Sequence, residues 1–538
     1  MTDITLFEQS PWFDADWYQT QYPDVIASGL TPIEHYATLG EKWGRWAGPF
    51  FHSGFYRNQY PDISKAGVSP LLHYTKHGEG EGRWPFELAA QRLEIALWQD
   101  KDKHVLLRLN ELIRSGGDWE ASYAHWALAR WYAWRQEWEI SAHHLKERYS
   151  LSKQLPATPA PYLLEVEVLV QRGALAQALA CISTLAERYP DYSDTHLAIA
   201  NLLYSQLHSN NDIRRVSELV SGQKYALNEQ LRLYHINAIY RAASLEMLAL
   251  ARDTQPLTLD NLTAIDAPSG DQHDDELILP LVTVIMPLFN AESYLVTAVE
   301  SLQKQTYKNI EVLIIDDAST DSSPAIAQTF CDQDERFRLI RQPGNQGAYA
   351  ARNRGLELAR GELITVHDSD DWSHPQKLEC QVHGLNQHPN WKACFSDFVR
   401  ATTELRFSRW RIENMDGWVY RNTSSLMFRR EVFETLGFWD AVNVGADGEY
   451  FQRIMAAWGP QAYGTVKKGI PLCFGRSLPQ SLSQAGPTHL VTQFKGLRYD
   501  YQQAFAQWHS TAEKPSDLYM PQHPKVRPFP APQGNLRT

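Results

Sequence analysis

Two groups of carboxylates carry the chemistry that this sequence suggests. Asp316 and Asp317 open the string Asp316-Asp317-Ala318-Ser319, and Asp368, Asp370 and Asp371 crowd into Asp368-Ser369-Asp370-Asp371. Acids this close repel one another unless a cation sits among them. Asp368 and Asp370, one residue apart, are spaced to approach one hard divalent ion through oxygen. Such an ion takes few protein carboxylates and completes its shell with phosphate oxygens, which points to a ligand bearing a diphosphate. The plainer use of an Asp-rich stretch is a solvated turn or a helix N-cap. Two such clusters in one series of elements are stronger evidence than either alone.

Each cluster follows a short apolar run, so each should emerge at the C-terminal end of a buried parallel strand, the edge where open α/β sheets bind ligands. Val282-Thr283-Val284-Ile285-Met286 reads as a first strand that ends at Pro287, with a helix from Ala291 to Gln303. Val312-Leu313-Ile314-Ile315 leads into the first cluster, Ser322 to Cys331 reads as helix, and Phe337-Arg338-Leu339-Ile340 as strand. Gly347 to Arg360 has helical composition and stops at Gly361, and Leu363-Ile364-Thr365-Val366 delivers the second cluster. This alternation predicts a mostly parallel sheet with helices on both faces.

These residues, taken in order, resemble glycosyltransferase family 2. The matching motifs are Pro287-Leu288-Phe289-Asn290, Tyr294-Leu295, Ser301-Leu302, Gln305-Thr306-Tyr307, Glu311 and the Asp316 to Asp321 string. Asn345, Gly347, Ala351-Arg352-Asn353, Gly355, Ala359, Gly361 and Asp368 to Asp371 follow. Downstream, Met427-Phe428-Arg429-Arg430, Phe433, Leu436-Gly437 and Asp447 through Arg453 are similar to the acceptor half. The resemblance spans about two hundred residues. It implies an α/β GT-A fold and transfer of a sugar from a nucleoside diphosphate, with UDP the expected nucleotide. By the same resemblance Asp370, helped by Asp368, holds Mn2+ or Mg2+ against the departing diphosphate. Asp317 faces the uracil or ribose of the donor, Asp316 supports that loop, and Pro287 and Asn290 join the donor side. Arg352 is a phosphate partner or, equally, a solvated charge.

Asp447 is implied as the base for the acceptor hydroxyl, with Glu449 as fallback, although Ala446 stands where many relatives have an acid. The alternative is that Asp447 caps a helix running to Trp458. With no carboxylate evident as a nucleophile, the expected course is a single displacement with inversion. Relatives often follow a terminal Arg with a His; here Arg476 and Ser481-Leu482-Ser483 are present but Leu478 stands near the His position. His489 is a substitute third ligand or simply a surface residue. His367 replaces the usual apolar residue before the acids.

The 538 residues exceed one core, and 43% apolar with 21% charged residues is ordinary globular composition. A formal charge of −12 argues against a nucleic-acid partner. No apolar run approaches about 18 residues, so no membrane span is expected, and the acidic Met1 to Ser10 start does not read as a signal peptide. Five scattered cysteines suit a reducing cytoplasm, so the location expected is cytoplasmic, at most peripheral to the inner face of the membrane.

Ahead of the enzyme region, an aromatic unit repeats with a constant shift of 38 residues, from Tyr22-Pro23-Asp24 to Tyr60-Pro61-Asp62 and from Gly44-Arg45-Trp46 to Gly82-Arg83-Trp84. Each unit has room for two short helices, and its aromatics serve packing more readily than sugar stacking. Similar repeats accompany some bacterial surface-polysaccharide glycosyltransferases. From Glu87 to Asp253 the chain reads as a degenerate tetratricopeptide-like helical region, with Trp126, Trp131, Trp134 and Trp138 as packing residues. The expected organisation is aromatic repeats over 1–86, helical region over 87–253, linker over 254–280, catalytic domain over 281–485, and a C-terminal helix with a loosely ordered proline-rich tail over 486–538. The expected partners are a nucleotide-sugar donor, a glycan or lipid-linked glycan acceptor in surface polysaccharide synthesis, and a protein held by the helical repeats. The competing class is a non-catalytic adaptor that binds glycan or partner enzymes through those repeats.

Overall fold

The computed structural model describes residues 3–81, 83–99, 104–152, 158–209, 218–264, 279–408, 417–478 and 494–536. The chain divides into two compact units, Met1–Ala174 and Leu175–Thr538, so the division falls inside the helical array expected as one region.

In the first unit each aromatic repeat folds the same way, as three short helices and a π-helical turn rather than two helices. The first repeat has Ala15–Gln21, Asp24–Ser28, Pro32–His35 and Tyr36–Gly40; the second has Ser53–Gln59, Pro61–Ala66, Pro70–His73 and Tyr74–Gly78. Tyr18, Tyr36, Tyr56 and Tyr74 are buried, and the Tyr18 and Tyr56 hydroxyls reach His35 Nδ1 and His73 Nδ1 at 3.1 and 3.0 Å. A Cβ on Gly40 would lie 2.0 Å from the Tyr18 hydroxyl, and one on Gly78 would lie 2.2 Å from that of Tyr56. Only glycine admits the tyrosine there, which explains its place in both repeats. The aromatics therefore form the core of this module. Beyond them, the helices Ala89–Gln99, Val105–Ser115, Gly117–Trp134, Trp138–Tyr149 and Ala160–Gln171 bury a second core that includes Trp126.

The second unit is built on a seven-stranded sheet. Its strands are β1 (Val282–Leu288), β2 (Ile310–Asp316), β3 (Phe337–Arg341), β4 (Leu363–Val366), β5 (Ala393–Phe395), β6 (Met427–Arg429) and β7 (Tyr463–Thr465), in the order β7-β5-β6-β4-β1-β2-β3. The β4-β1-β2-β3 half is parallel throughout, as the βα alternation predicts, and β6 alone runs antiparallel to both neighbours. A smaller sheet contains Trp372–Ser373, Asp397–Ala401, Phe407–Ser408 and Pro471–Arg476. β1 does not stop before Pro287 as expected but continues to Leu288, paired Pro287 to Ile315 on β2. The reason lies in the other neighbour: β4 pairs with β1 only as far as Ile285, so the edge on which Pro287 lacks an N–H has no strand to bond.

Helices α1 (Ser193–Ser209) and α2 (Glu218–Ala242) belong to this unit and pack on it, and α3 (Leu295–Gln303) follows β1 in the chain. Asn201 exchanges two hydrogen bonds with the backbone of Phe407, at 2.7 and 2.8 Å, and Arg232 donates to the carbonyls of Glu404 and Leu405. Buried Asp194 accepts the backbone N–H groups of Trp418 and Val419. The proline-rich tail is also packed, contrary to expectation. Leu518, Met520, Phe529 and Asn535 are buried, Phe438 N–H donates to the Met520 carbonyl at 2.9 Å, and Val444 N–H donates to Asn535 Oδ1 at 3.0 Å. Prolines exclude regular periodicity but not an extended strap, and the apolar residues between them supply its burial. Residues 265–278 of the expected linker, Ser481-Leu482-Ser483 and His489 lie outside the described residues.

Candidate active site

The acids of the first cluster are occupied by the fold. Asp316, at the end of β2, accepts Ser319 N–H at 3.0 Å and Arg341 Nε at 3.1 Å. Asp317 accepts Gln342 Nε2 at 2.7 Å and the backbone N–H groups of Gln346 and Gly347, each at 2.6 Å. Gly347 has φ +93, a conformation that favours glycine, and it starts α4 (Ala348–Leu358). Asp317 thus fixes the entry of that helix. Asn290, with φ +47, ties the loop after β1 to the loop after β2: its N–H donates to Ser319 Oγ and its Oδ1 accepts Thr320 N–H at 2.8 Å. Asn is among the few residues at ease in that left-handed conformation.

The second cluster is compensated differently. Asp368 Oδ1 accepts Arg352 Nη2 at 2.8 Å; burial opposes ionisation, and the guanidinium holds the carboxyl below the usual range nonetheless. Arg352 is buried, so it is not the solvated charge that an exposed helix face would give. Burial, then the charge of Asp368, push Asp370 up to about 6, with Arg400 and Arg476 pulling the other way. Burial, then Asp370, push Asp371 up to about 8, while Arg476 N–H donates to its Oδ1 at 2.9 Å. His367 is buried with Nδ1 2.9 Å from the Asp368 carbonyl oxygen, and burial with nearby Lys377 pushes it down to about 3. A neutral ring donating to that carbonyl accounts for a histidine where an apolar residue is usual.

Among the described residues no group of three or more His, Cys, Asp or Glu could hold a metal ion together. The pair Asp368 and Asp370 fits a hard cation by another route. Both supply oxygen, no side chain among the described residues donates a hydrogen bond to the Asp370 carboxylate, and its reluctance to ionise beside Asp368 is what a cation would relieve.

Helix α5 (Ala446–Trp458) starts after Gly445 and has no side-chain cap, so the cap reading of Asp447 fails. Asp447 Oδ1 instead accepts the Tyr349 hydroxyl at 2.9 Å, together with Gly448 N–H. Tyr349 and Arg352 are three residues apart on α4, with the guanidinium 5.1 Å from the ring centroid. One face of α4 therefore joins Asp447 to Asp368. Glu449 is fully buried between Arg453 Nη2 at 2.8 Å and His509 Nε2 at 3.0 Å, which removes it as a fallback base.

The strand-end acids, Arg352 and Asp447 stand out from motif order; Tyr349 and Arg400 do not. The i, i+3 spacing of Tyr349 and Arg352 is a signal for the first. Nothing local marks Arg400.

The mostly parallel sheet with acids at its carboxyl edge fits the GT-A class of α/β domain. The family model for glycosyl transferase family 2 matches residues 283–442, so the chain carries a domain of that family. A glycosyltransferase of Haemophilus influenzae is 45% identical over 122 residues, 22% of this chain and 49% of that protein. EpsH of Bacillus subtilis is 47% identical over 115 residues, 21% of this chain and 33% of that protein. The chain thus spans half or less of the length of these relatives. Among solved structures, TarS 1–349 of S. aureus in complex with UDP has a TM-score of 0.31 at 15% identity, covering 40% of this chain and 64% of that one. Among the described residues no helix is long and apolar enough to cross a membrane.

Proposed function

We propose that the chain is an inverting glycosyltransferase that moves a sugar from a nucleoside-diphosphate donor, UDP expected, to a glycan or lipid-linked glycan acceptor in bacterial surface polysaccharide synthesis. The observation that carries this reading is the α4 face on which Arg352 meets Asp368 and Tyr349 meets Asp447, tying a cation-fitting acid pair to an acid suited to be a base. Asp368 and Asp370 would hold Mn2+ or Mg2+, which when bound stabilises the charge of the departing diphosphate. Asp447 Oδ1 is engaged by the Tyr349 hydroxyl, leaving Oδ2 to take the acceptor proton. Tyr349 orients that carboxylate. Asp317, Pro287 and Asn290 shape the donor side through the two loops that they join. The first unit would hold the acceptor or a partner enzyme.

The test is release of nucleoside diphosphate from a panel of nucleotide sugars with Mn2+, with and without chelator. Asp447→Asn should lower turnover roughly 10²–10⁴-fold while leaving donor affinity near parental. Glu449→Gln should lower stability, with the rate per folded molecule retained. No release from any donor, or full turnover by Asp447→Asn, would sink the reading.

A further inference from the structure

Arg476 lies beyond the family match, yet it touches the second acid cluster at two points. Its backbone N–H donates to Asp371 Oδ1 at 2.9 Å, and its Nε donates to the Asp370 carbonyl at 3.0 Å. The side chain is fully buried, so its charge must be met inside the protein. That charge is met by Asp260: Nη1 lies 3.1 Å from Oδ2, and Nη2 bonds Oδ1. Thr403 Oγ1 accepts at 3.2 Å, and the Tyr294 ring lies 4.8 Å beneath the guanidinium. Asp260 itself stands ahead of the family match, in the stretch whose sequence reads as linker.

The placement of Asp260 is built in. Thr297 Oγ1, on the helix Leu295–Gln303, donates to Asp260 Oδ1 at 2.6 Å. The turn Leu259–Asn261 is fastened on both sides: Leu259 N–H donates to the Thr403 carbonyl at 2.7 Å, and the Asn261 amide donates to the carbonyls of Arg252, Gln255 and Pro256.

We infer that Asp260 is a positioning residue for the metal-binding acids, acting through Arg476. This rests on the proposal that Asp368 and Asp370 hold a divalent ion. A cation beside Asp370 competes with any guanidinium free to reach the same carboxylate. Asp260 occupies both terminal nitrogens of Arg476, which directs them away from Asp370 and leaves only Nε and the backbone N–H on the cluster. With Asp260 neutral, the buried charge of Arg476 lacks a counter-ion, and the nearest acids are Asp370 and Asp371. The guanidinium then occupies the position that the metal requires.

The experiment measures Mn2+ affinity in the presence of UDP, reading free Mn2+ by its electron paramagnetic resonance on the full chain. Asp260→Asn should weaken Mn2+ binding by roughly 10–100-fold, as loss of a supporting residue behind a metal ligand does. Far-ultraviolet circular dichroism should remain parental, and Asp260→Glu should recover part of the affinity. Thr297→Val removes the hydroxyl that orients Asp260 without altering any charge, and it should weaken Mn2+ binding in the same direction by less. A folded Asp260→Asn with parental Mn2+ affinity would overturn the inference. So would an unfolded Asp260→Asn alongside a Thr297→Val of parental affinity. A parent chain that binds no Mn2+ with UDP would instead remove the metal reading itself, and this inference with it.

Discussion

The two acidic clusters follow the parallel strands β2 and β4, which flank β1, yet their carboxylates are satisfied in opposite ways. Asp317 receives two backbone N–H groups and an amide, all from the segment that leads into α4. Asp368 receives a guanidinium, and Asp370 lies close to two more charges, Arg400 and Arg476, that do not quench it. N–H groups in fixed positions make an acid part of the scaffold. Arginines at a distance leave it electrostatically unsettled and responsive to a cation. Position on the sheet is therefore not role, and the comparison predicts different losses when each acid is neutralised.

Between the two clusters, the largest effect should come from Asp370→Asn. Losing the metal-side charge should cost turnover roughly 10²–10³-fold, in the range for removing one transition-state stabiliser. The thermal midpoint near neutral pH should hold or rise, because ionised Asp370 is disfavoured by its surroundings. A marked fall in that midpoint would make Asp370 a scaffold acid and erase the contrast. Asp317→Ala should do the reverse, lowering stability by about 1–3 kcal/mol through buried N–H groups left unpaired, and weakening donor binding as the start of α4 loosens. Calorimetry of unfolding and of UDP binding would read both.

Asp194 sharpens the same contrast, since it too accepts two backbone N–H groups but is pushed up to about 6, burial outweighing those bonds. A carboxyl raised above its ordinary 3.8 stabilises the fold fully at pH values below that figure and loses the contribution as pH climbs through about 6. The thermal midpoint should therefore decline between about pH 4 and 6.5 by a few degrees, and Asp194→Asn should flatten that decline. An unchanged slope would mean that N–H groups suffice for an acid at that depth. The smallest effect belongs to Arg341→Ala. Its guanidinium is 61% exposed although the Asp316 carboxylate it meets is buried, and Ser319 N–H still bonds that acid, so thermal unfolding should report a loss of only about 1 kcal/mol.

The catalytic half was legible because its chemistry is local. Apolar runs of strand length end in Asp317 and Asp368, and the order of elements between them fixes their placement on one sheet edge. Pro287 misled because a strand's tolerance for proline depends on which neighbour has already ended, and β4 is remote in sequence. The tail misled because Leu518, Met520 and Phe529 bury themselves without a repeating pattern. Asp260 and Arg476 could not be paired in advance, since 216 residues separate them and neither forms part of a recurring string. The Asp194, Asn201 and Arg232 contacts were hidden in the same way, which is why α1 and α2 read as part of a helical array instead of the enzyme.

The strap after Pro515 also sets an order in time. Helix α5 carries Asp447 and packs in a core that Leu518, Met520 and Phe529 complete, while Asn535 clasps Val444 just ahead of that helix. A ribosome must release the chain through Asn535 before this helix has its final neighbours, whereas the contacts inside the first unit are complete once Ala174 has emerged. At about 5–20 residues per second, the nascent protein spends roughly twenty to seventy seconds with its aromatic repeats formed and the proposed base, Asp447, still unplaced. Whatever the first unit binds, it is able to bind before the second unit is complete.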